Sequence, residues 1–475
     1  MLPAFRGFGL AVPLALISSL AVVPRLTAQS TSAYVYVQST GSAGPVYGYS
    51  ASSGGKLTAI SGSPFKPGTA IVGSNKSEFF TIGKTLLHSW TVGSNGAIGA
   101  QKSQIAFMNY SGGSCGNTGD PVGPQAVLDH TGKSVYVLLQ GNGDHLCTAY
   151  QTYNVNSDGS FTFNGDTQVS VQSGGYTTLP SILGNEKFAY ADSFFTFNNQ
   201  VIGFQRETSG TLQFFGSLNP TFSGSESYTA YRPDASPTQN FVVLQEYLND
   251  SGFPQLGSFS VASDGTLTST NTPSNMPTSA LSSSDQAFSP NGALFAIAGN
   301  LNPGSGIEIY NFNGASPLTL YKKLLTGTPI DRIAWDNSNH LYATSTQTSR
   351  LYVFTVTSTS VTQTASYSIT SPVRLVVVSQ SSSSCSTPSS NGINVCSPAQ
   401  NATVSSPVQV NARATVSGGV YRFELWSGST KLVSVADSGT MSQSVPLAAG
   451  TYHLTFVARN TAGLKVTATR DITVK

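Results

Sequence analysis

The chain has 475 residues, of which 9% are Asp, Glu, Lys or Arg, 39% hydrophobic and 10% aromatic. So sparse a charge set excludes ion-paired helical bundles and coiled coils, and the apolar fraction excludes a disordered polyelectrolyte. The 23 basic and 21 acidic residues leave +2, and Arg6 and Arg25 fall in the leader described next, so bulk charge points to neither nucleic acid nor anionic lipid.

Arg6, an apolar run over 10–23 and the small-residue segment Leu26-Thr27-Ala28-Gln29 have the form of a secretory signal over residues 1–28, cleaved after Ala28. Pro13 and Pro24 bracket a segment shorter than the ~20 apolar residues of a membrane helix, so no membrane span is expected. The mature protein is expected to be secreted, periplasmic or at the cell surface. In such an oxidising space four cysteines read as two disulfides.

From residue 29 a strand, a short turn rich in Ser, Asp and Gly, and an apolar residue opening the next strand recur. The copies are YGYSASSGGKL, SWTVGSNGAI, TYNVNSDGSF, IGFQRETSGTL, GSFSVASDGTL, IYNFNGASPL and YVFTVTSTSV. The apolar residues after the turn are Leu57, Ile98, Phe161, Leu212, Leu267, Leu318 and Val361, giving seven copies. A second turn class, upstream of these, has six copies: SNKSEFFTI, LDHTGKSVYVLL, LGNEKFAYA, RPDASPTQNFVVL, FSPNGALFAIA and WDNSNHLYATS. The missing seventh is accounted for if the first repeat begins with its second strand, 33–37, and borrows its innermost strand from 373–378. Closure by both termini removes open sheet edges. The predicted fold over 29–380 is all-β, a seven-bladed β-propeller with strands A to D in each blade.

Phe288-Ser289-Pro290-Asn291-Gly292-Ala293-Leu294-Phe295 resembles the repeat of the lactonase-like, YVTN-type bacterial propellers, and Asn339-His340-Leu341-Tyr342-Ala343 is a second copy. The resemblance covers residues 31–380 and implies the propeller architecture. It also raises lactone hydrolysis of the 6-phosphogluconolactonase type, which needs a general base and cations near the channel mouth. Those relatives often carry Pro-Arg-His entering the innermost strand, where this chain has Ser283-Ser284-Asp285-Gln286-Ala287.

Residues 379–390 are almost wholly Ser, Thr and Pro, and 381–395 read as a linker. Short strand-like runs then fill 396–475, the size and spacing of an Ig-like β-sandwich. In residues 450–458 the even-numbered positions are the inward ones, and Tyr452 is placed as a tyrosine-corner residue. Such modules space or attach.

In a four-stranded blade the D–A and B–C loops share one face, and here they are the long, irregular ones; binding is expected on that face. Cys115 and Cys147 fall in two of its loops, at the rim of the third blade. Cys385 and Cys396 flank the linker. Pairing Cys115 with Cys147 and Cys385 with Cys396 keeps each bridge local, whereas a Cys-ligated zinc would need paired short spacings that are missing. Gly112-Gly113-Ser114-Cys115-Gly116 matches a nucleophile elbow with no helix after it, and Asn154, Asn156, Asp158 and Gly159 form a hairpin turn rather than a calcium loop. No metal or cofactor motif is present.

Candidate ligand-binding residues are therefore Asp285, Asp331, Arg332 and Arg374 at the ends of innermost strands, Asp144 and His145 in a loop of the same face, and Tyr247 and Phe253 as aromatic anchors. The sequence favours a monomeric binding or interaction protein taking a glycan, a peptide or a small metabolite. Lactone hydrolysis is the alternative.

Overall fold

Strand Thr31–Ser39 shows why these residues make a propeller. Its Tyr34 and Tyr36 pack with Ile71 and Phe79 on one side, while Val35 and Val37 pack with Tyr342, Leu351 and Val353 on the other. A strand buried on both faces reads as a near-continuous apolar run. Each such strand is wedged between two neighbouring sheets, so the core is a ring of seams rather than one centre.

The computed structural model describes residues 31–475 except 42, 109–124, 141–146, 171–175, 195–199, 219–227, 249–251, 302–303, 381–384, 386, 405, 407 and 437. The described residues form strands and turns with no α-helix, and none of them makes a helix able to cross a membrane. Six sheets run in chain order, each antiparallel with A innermost and D outermost. The seventh joins the chain ends: Pro372–Ser379 is strand A of blade 1, beside strand B, Thr31–Ser39. Its register runs from Ala33 opposite Ser379 to Gln38 opposite Arg374.

Strand D opens at Leu57, Ile98, Phe161, Leu212, Leu267 and Val361, and at Thr319 directly after Leu318 in blade 6. The turn before it also locks the ring. Tyr36 Oη donates to the Gly96 carbonyl at 2.7 Å, Tyr136 Oη to that of Gly210 at 2.7 Å, and Tyr190 Oη to that of Gly265 at 2.8 Å. Each bond joins strand B of one blade to the C–D turn of the next. At Gly265, with φ +88°, a Cβ would meet the Phe188 ring at 2.8 Å, so this turn needs glycine for conformation and for space.

The C-terminal module is a β-sandwich. One sheet holds Gly392–Ser397, Val408–Thr415 and Thr440–Val445. The other holds Ala402–Val404, Arg422–Ser427, Thr430–Ala436, Gly450–Arg459 and Lys465–Val474. Phe423, Leu425, Met441, Leu454 and Phe456 lie in its core. Tyr452 Oη donates to the Ala448 carbonyl at 3.0 Å, the bond of a tyrosine corner. Cys385 and Cys396 form a disulfide. Cys115, the Gly-x-Ser-x-Gly run and the side chain of Cys147 lie outside the described residues, as does the leader.

Candidate functional site

The A strands of neighbouring blades do not pair as a sheet, and side chains from strands A and B of one blade reach strand A of the next. Gln38 Oε1 accepts from Ile71 N at 3.1 Å, Asp192 Oδ1 from Arg232 N at 2.6 Å, Asp234 Oδ2 from Phe288 N at 3.1 Å, and Asp285 Oδ2 from Ile333 N at 2.9 Å. Three carboxylates thereby hold blades 4 to 7 in step. Burial pushes Asp192 up to about 7, against the opposing Arg232 N–H and charge. It also pushes Asp234 up to about 7, helped by the charge of Asp285. Asp285 is raised by burial too, although Arg332 and Arg232 pull the other way.

On the face of the D–A and B–C loops the channel opens into a cavity of about 500 Å³. Its walls are the beginnings of A strands: Ala70, Ile71 and Val72 of blade 2, Gln125 and Ala126 of blade 3, Arg332 of blade 7, and Arg374, Leu375 and Val376 of blade 1, with Leu179 from blade 4. Aliphatic side chains together with one amide and two guanidinium groups suit a small ligand that carries negative charge. Burial lowers the pKa of Arg374, and the nearby charge of Arg332 lowers it further. Neither guanidinium has a hydrogen bond or ion pair among the described residues. Two cations sharing a half-buried mouth repel each other, and an anion between them relieves that repulsion.

The expected site residues thus separate. Arg332 and Arg374 meet in one cavity. Asp285 lies beside them, but its carboxylate is engaged by Ile333 N. Asp331 is engaged by two blades, its Oδ2 accepting from Thr346 N at 2.7 Å and Thr346 Oγ1 at 2.8 Å and its Oδ1 from Asn300 Nδ2 of blade 6 at 3.3 Å. Tyr247 packs edge-on against Tyr231 with ring centroids 5.1 Å apart, and its hydroxyl donates to Gln245 Oε1. Phe253 is 43% exposed and lies against Gly304 of blade 6. Asp144 and His145 lie outside the described residues. Among the described histidines, His130 pairs with Glu186, His340 with Asp336 and His453 with Asp471, while His88 is buried in an outer strand.

Sequence reasoning missed Arg232. It has φ +47° at a register shift of blade 5, its N–H is held by Asp192, and its Nη1 donates to Ser283 Oγ at 3.2 Å. The pair Arg232-Pro233 read as part of a turn. A buried acid 40 positions upstream is what fixes it.

Comparison with solved structures shows the same ring. A candidate 6-phosphogluconolactonase from Bacteroides uniformis aligns with a TM-score of 0.56 at 15% identity, over 74% of this chain and 100% of that one. The periplasmic gluconolactonase PpgL of Pseudomonas aeruginosa aligns with a TM-score of 0.52 at 15% identity, over 74% of this chain and 99% of that one. The ring shares the propeller fold of these two structures. At these identities the likeness is one of fold, and the chemistry rests on the residues at the channel mouth. Residues 392–456 match the family model of the bacterial Ig domain. No curated protein matches the chain.

Proposed function

We propose that this is an exported lactonase-like propeller that captures a small carboxylate- or phosphate-bearing metabolite at its channel mouth, with the Ig-like module as spacer or attachment. The observation that carries this reading is the pair Arg332 and Arg374, neither guanidinium hydrogen-bonded or ion-paired among the described residues, on the walls of a cavity of about 500 Å³. Sugar acids fit: the carboxylate or phosphate takes the guanidinium forks, and Gln125 is the one amide of the wall available to a hydroxyl.

Lactone hydrolysis is the second reading, favoured by the same arginines, which would hold a developing oxyanion. No carboxylate or histidine that could act as general base is among the described wall residues, and Asp285 Oδ2 is engaged by Ile333 N. Incubating the purified mature protein with glucono-δ-lactone, and following ring opening, separates the two. Binding without turnover is expected. Turnover abolished by Arg374→Ala would replace this reading with the hydrolytic one.

A further inference from the structure

The outer face of the five-stranded sheet in the Ig-like module carries a charge pattern that folding disfavours. Strand Arg422–Ser427 sends Phe423 and Leu425 into the core and presents Arg422, Glu424 and Trp426 on the opposite face. Strand Gly450–Arg459 sends Leu454, Phe456 and Ala458 inward, which leaves Arg459 on that same face. In register, Arg422 stands opposite Arg459, and Arg459 opposite Lys465. Three cations thus form one row across three adjacent strands, where like charges directly opposite destabilise a sheet.

One carboxylate serves the neighbourhood. Glu424 is buried, which disfavours its charge, yet hydrogen bonds from Arg459 and Lys431 more than offset this and hold its pKa below the ordinary value. Arg422 and Lys465 have no acidic partner among the described residues. Tyr421 adjoins the row, and Trp426 stands on the same face four residues along its strand, about 13 Å from Arg422. The Lys431 ammonium lies 5.4 Å from the Trp426 ring centre, and the Arg422 guanidinium lies 5.5 Å from that of Tyr421, which is 41% exposed. Exposed Thr467 and Thr469 line the adjoining strand. The charge is segregated in the whole chain as well. Residues 392–475 hold seven Lys and Arg against three Asp and Glu, net +4, whereas 31–380 hold 14 against 18, net −4.

We propose that this face binds an acidic polysaccharide. Its uronate carboxylates lie along the Arg422–Arg459–Lys465 row with one sugar ring against Tyr421, and Trp426 takes a further unit where the polymer turns along the strand. Strands spaced about 4.8 Å apart spread the row over roughly 10 Å, a length suited to successive sugar units. Flat rings, cations and threonine hydroxyls together match a polymer that is ringed, anionic and hydroxylated. A nucleic acid would call for a longer cationic track, and an anionic membrane for protruding apolar side chains beside the cations.

The test uses the full mature chain in affinity electrophoresis and calorimetry with polygalacturonate, with dextran, duplex DNA and phosphatidylglycerol vesicles as the other probes. Polygalacturonate should bind and be released by added salt, while dextran should not bind. The double variant Arg422→Ala, Lys465→Ala should lose at least about tenfold in affinity with no fall in melting temperature, because it removes opposed like charges. Trp426→Ala should also weaken binding. Failure to bind at low salt, unchanged affinity in the double variant, or DNA or vesicles held as tightly as polygalacturonate would each overturn the proposal.

Discussion

Ending the chain at Ser371, rather than at Gln380, is expected to unfold the ring. The difference is strand A of blade 1, Pro372–Ser379. Leu375 and Val377 of that strand pack into the seam with blade 7, and Val376 and Val378 into the seam with blade 2. Full burial of a Val or Leu side chain is worth about 1.5–3 kcal/mol. These four are half-buried to buried, so losing them costs roughly 4–8 kcal/mol, a large part of the ~5–15 kcal/mol by which a domain is stable. The loss also bares the inner edge of Thr31–Ser39, whose residues from Ala33 to Ser39 are all paired in the closed ring. Circular dichroism melts and limited proteolysis of the two truncations read the effect. The longer chain should melt cooperatively, and the shorter should melt at least roughly 10 °C lower or be digested outright. Equal melting temperatures and equal protease resistance would refute closure by the termini as the source of ring stability.

Raising the pH from about 6.5 to 8 should destabilise the propeller, because Asp192 and Asp234 are pushed up to about 7 when folded and ionise near 3.8 when unfolded. The folded state therefore holds protons that the unfolded state has released, and that advantage disappears as pH passes the folded values. His88, lowered by burial, acts in the opposite sense only below its ordinary value of 6.5. Melting temperatures across this window should fall, and less steeply in Asp192→Asn or Asp234→Asn; a rise would contradict the assignment. Asp336→Ala should cost about 3–5 kcal/mol in chemical denaturation. It strips the acceptor from Ser338 N, His340 N, His340 Nδ1 and Tyr342 Oη, all within 2.9 Å. Replacing Cys385 and Cys396 by Ser should cost the module about 2–3 kcal/mol through the short loop they close and leave the propeller transition in place.

The repeat was legible because a tight turn leaves a local mark. Gly96, Gly210 and Gly265 recur at a fixed place before an apolar residue, and counting six turns against seven exposed the closure by the chain ends. Blade 4 was harder to read, since its inner strand is split into Tyr176–Thr177 and Ser181–Ile182 around Pro180. A proline cannot donate to the ladder there. The first strand of the sandwich, Gly392–Ser397, was similarly hidden in a composition of linker type. At the channel mouth the sequence pointed to Arg332 and Arg374 through their place at the start of inner strands. It could not separate them from Asp285 and Asp331, whose oxygens go to backbone groups 48 and 15 positions onward. Contacts of that range carry no periodic signal. For the same reason Arg232 and the bridging acids Asp192 and Asp234 came from the structure alone.

The most direct measurement is a calorimetric titration of the mature protein with gluconate, 6-phosphogluconate and glucose, repeated on Arg374→Ala and Arg332→Ala. Saturable binding of an acid, absence of glucose binding, and a loss of roughly tenfold or more in either variant are predicted, since a hydrogen bond to a charged group is worth about 1.5–3 kcal/mol. Glucose bound as tightly as the acids, or acid binding untouched by both substitutions, would contradict an anion site at the channel mouth.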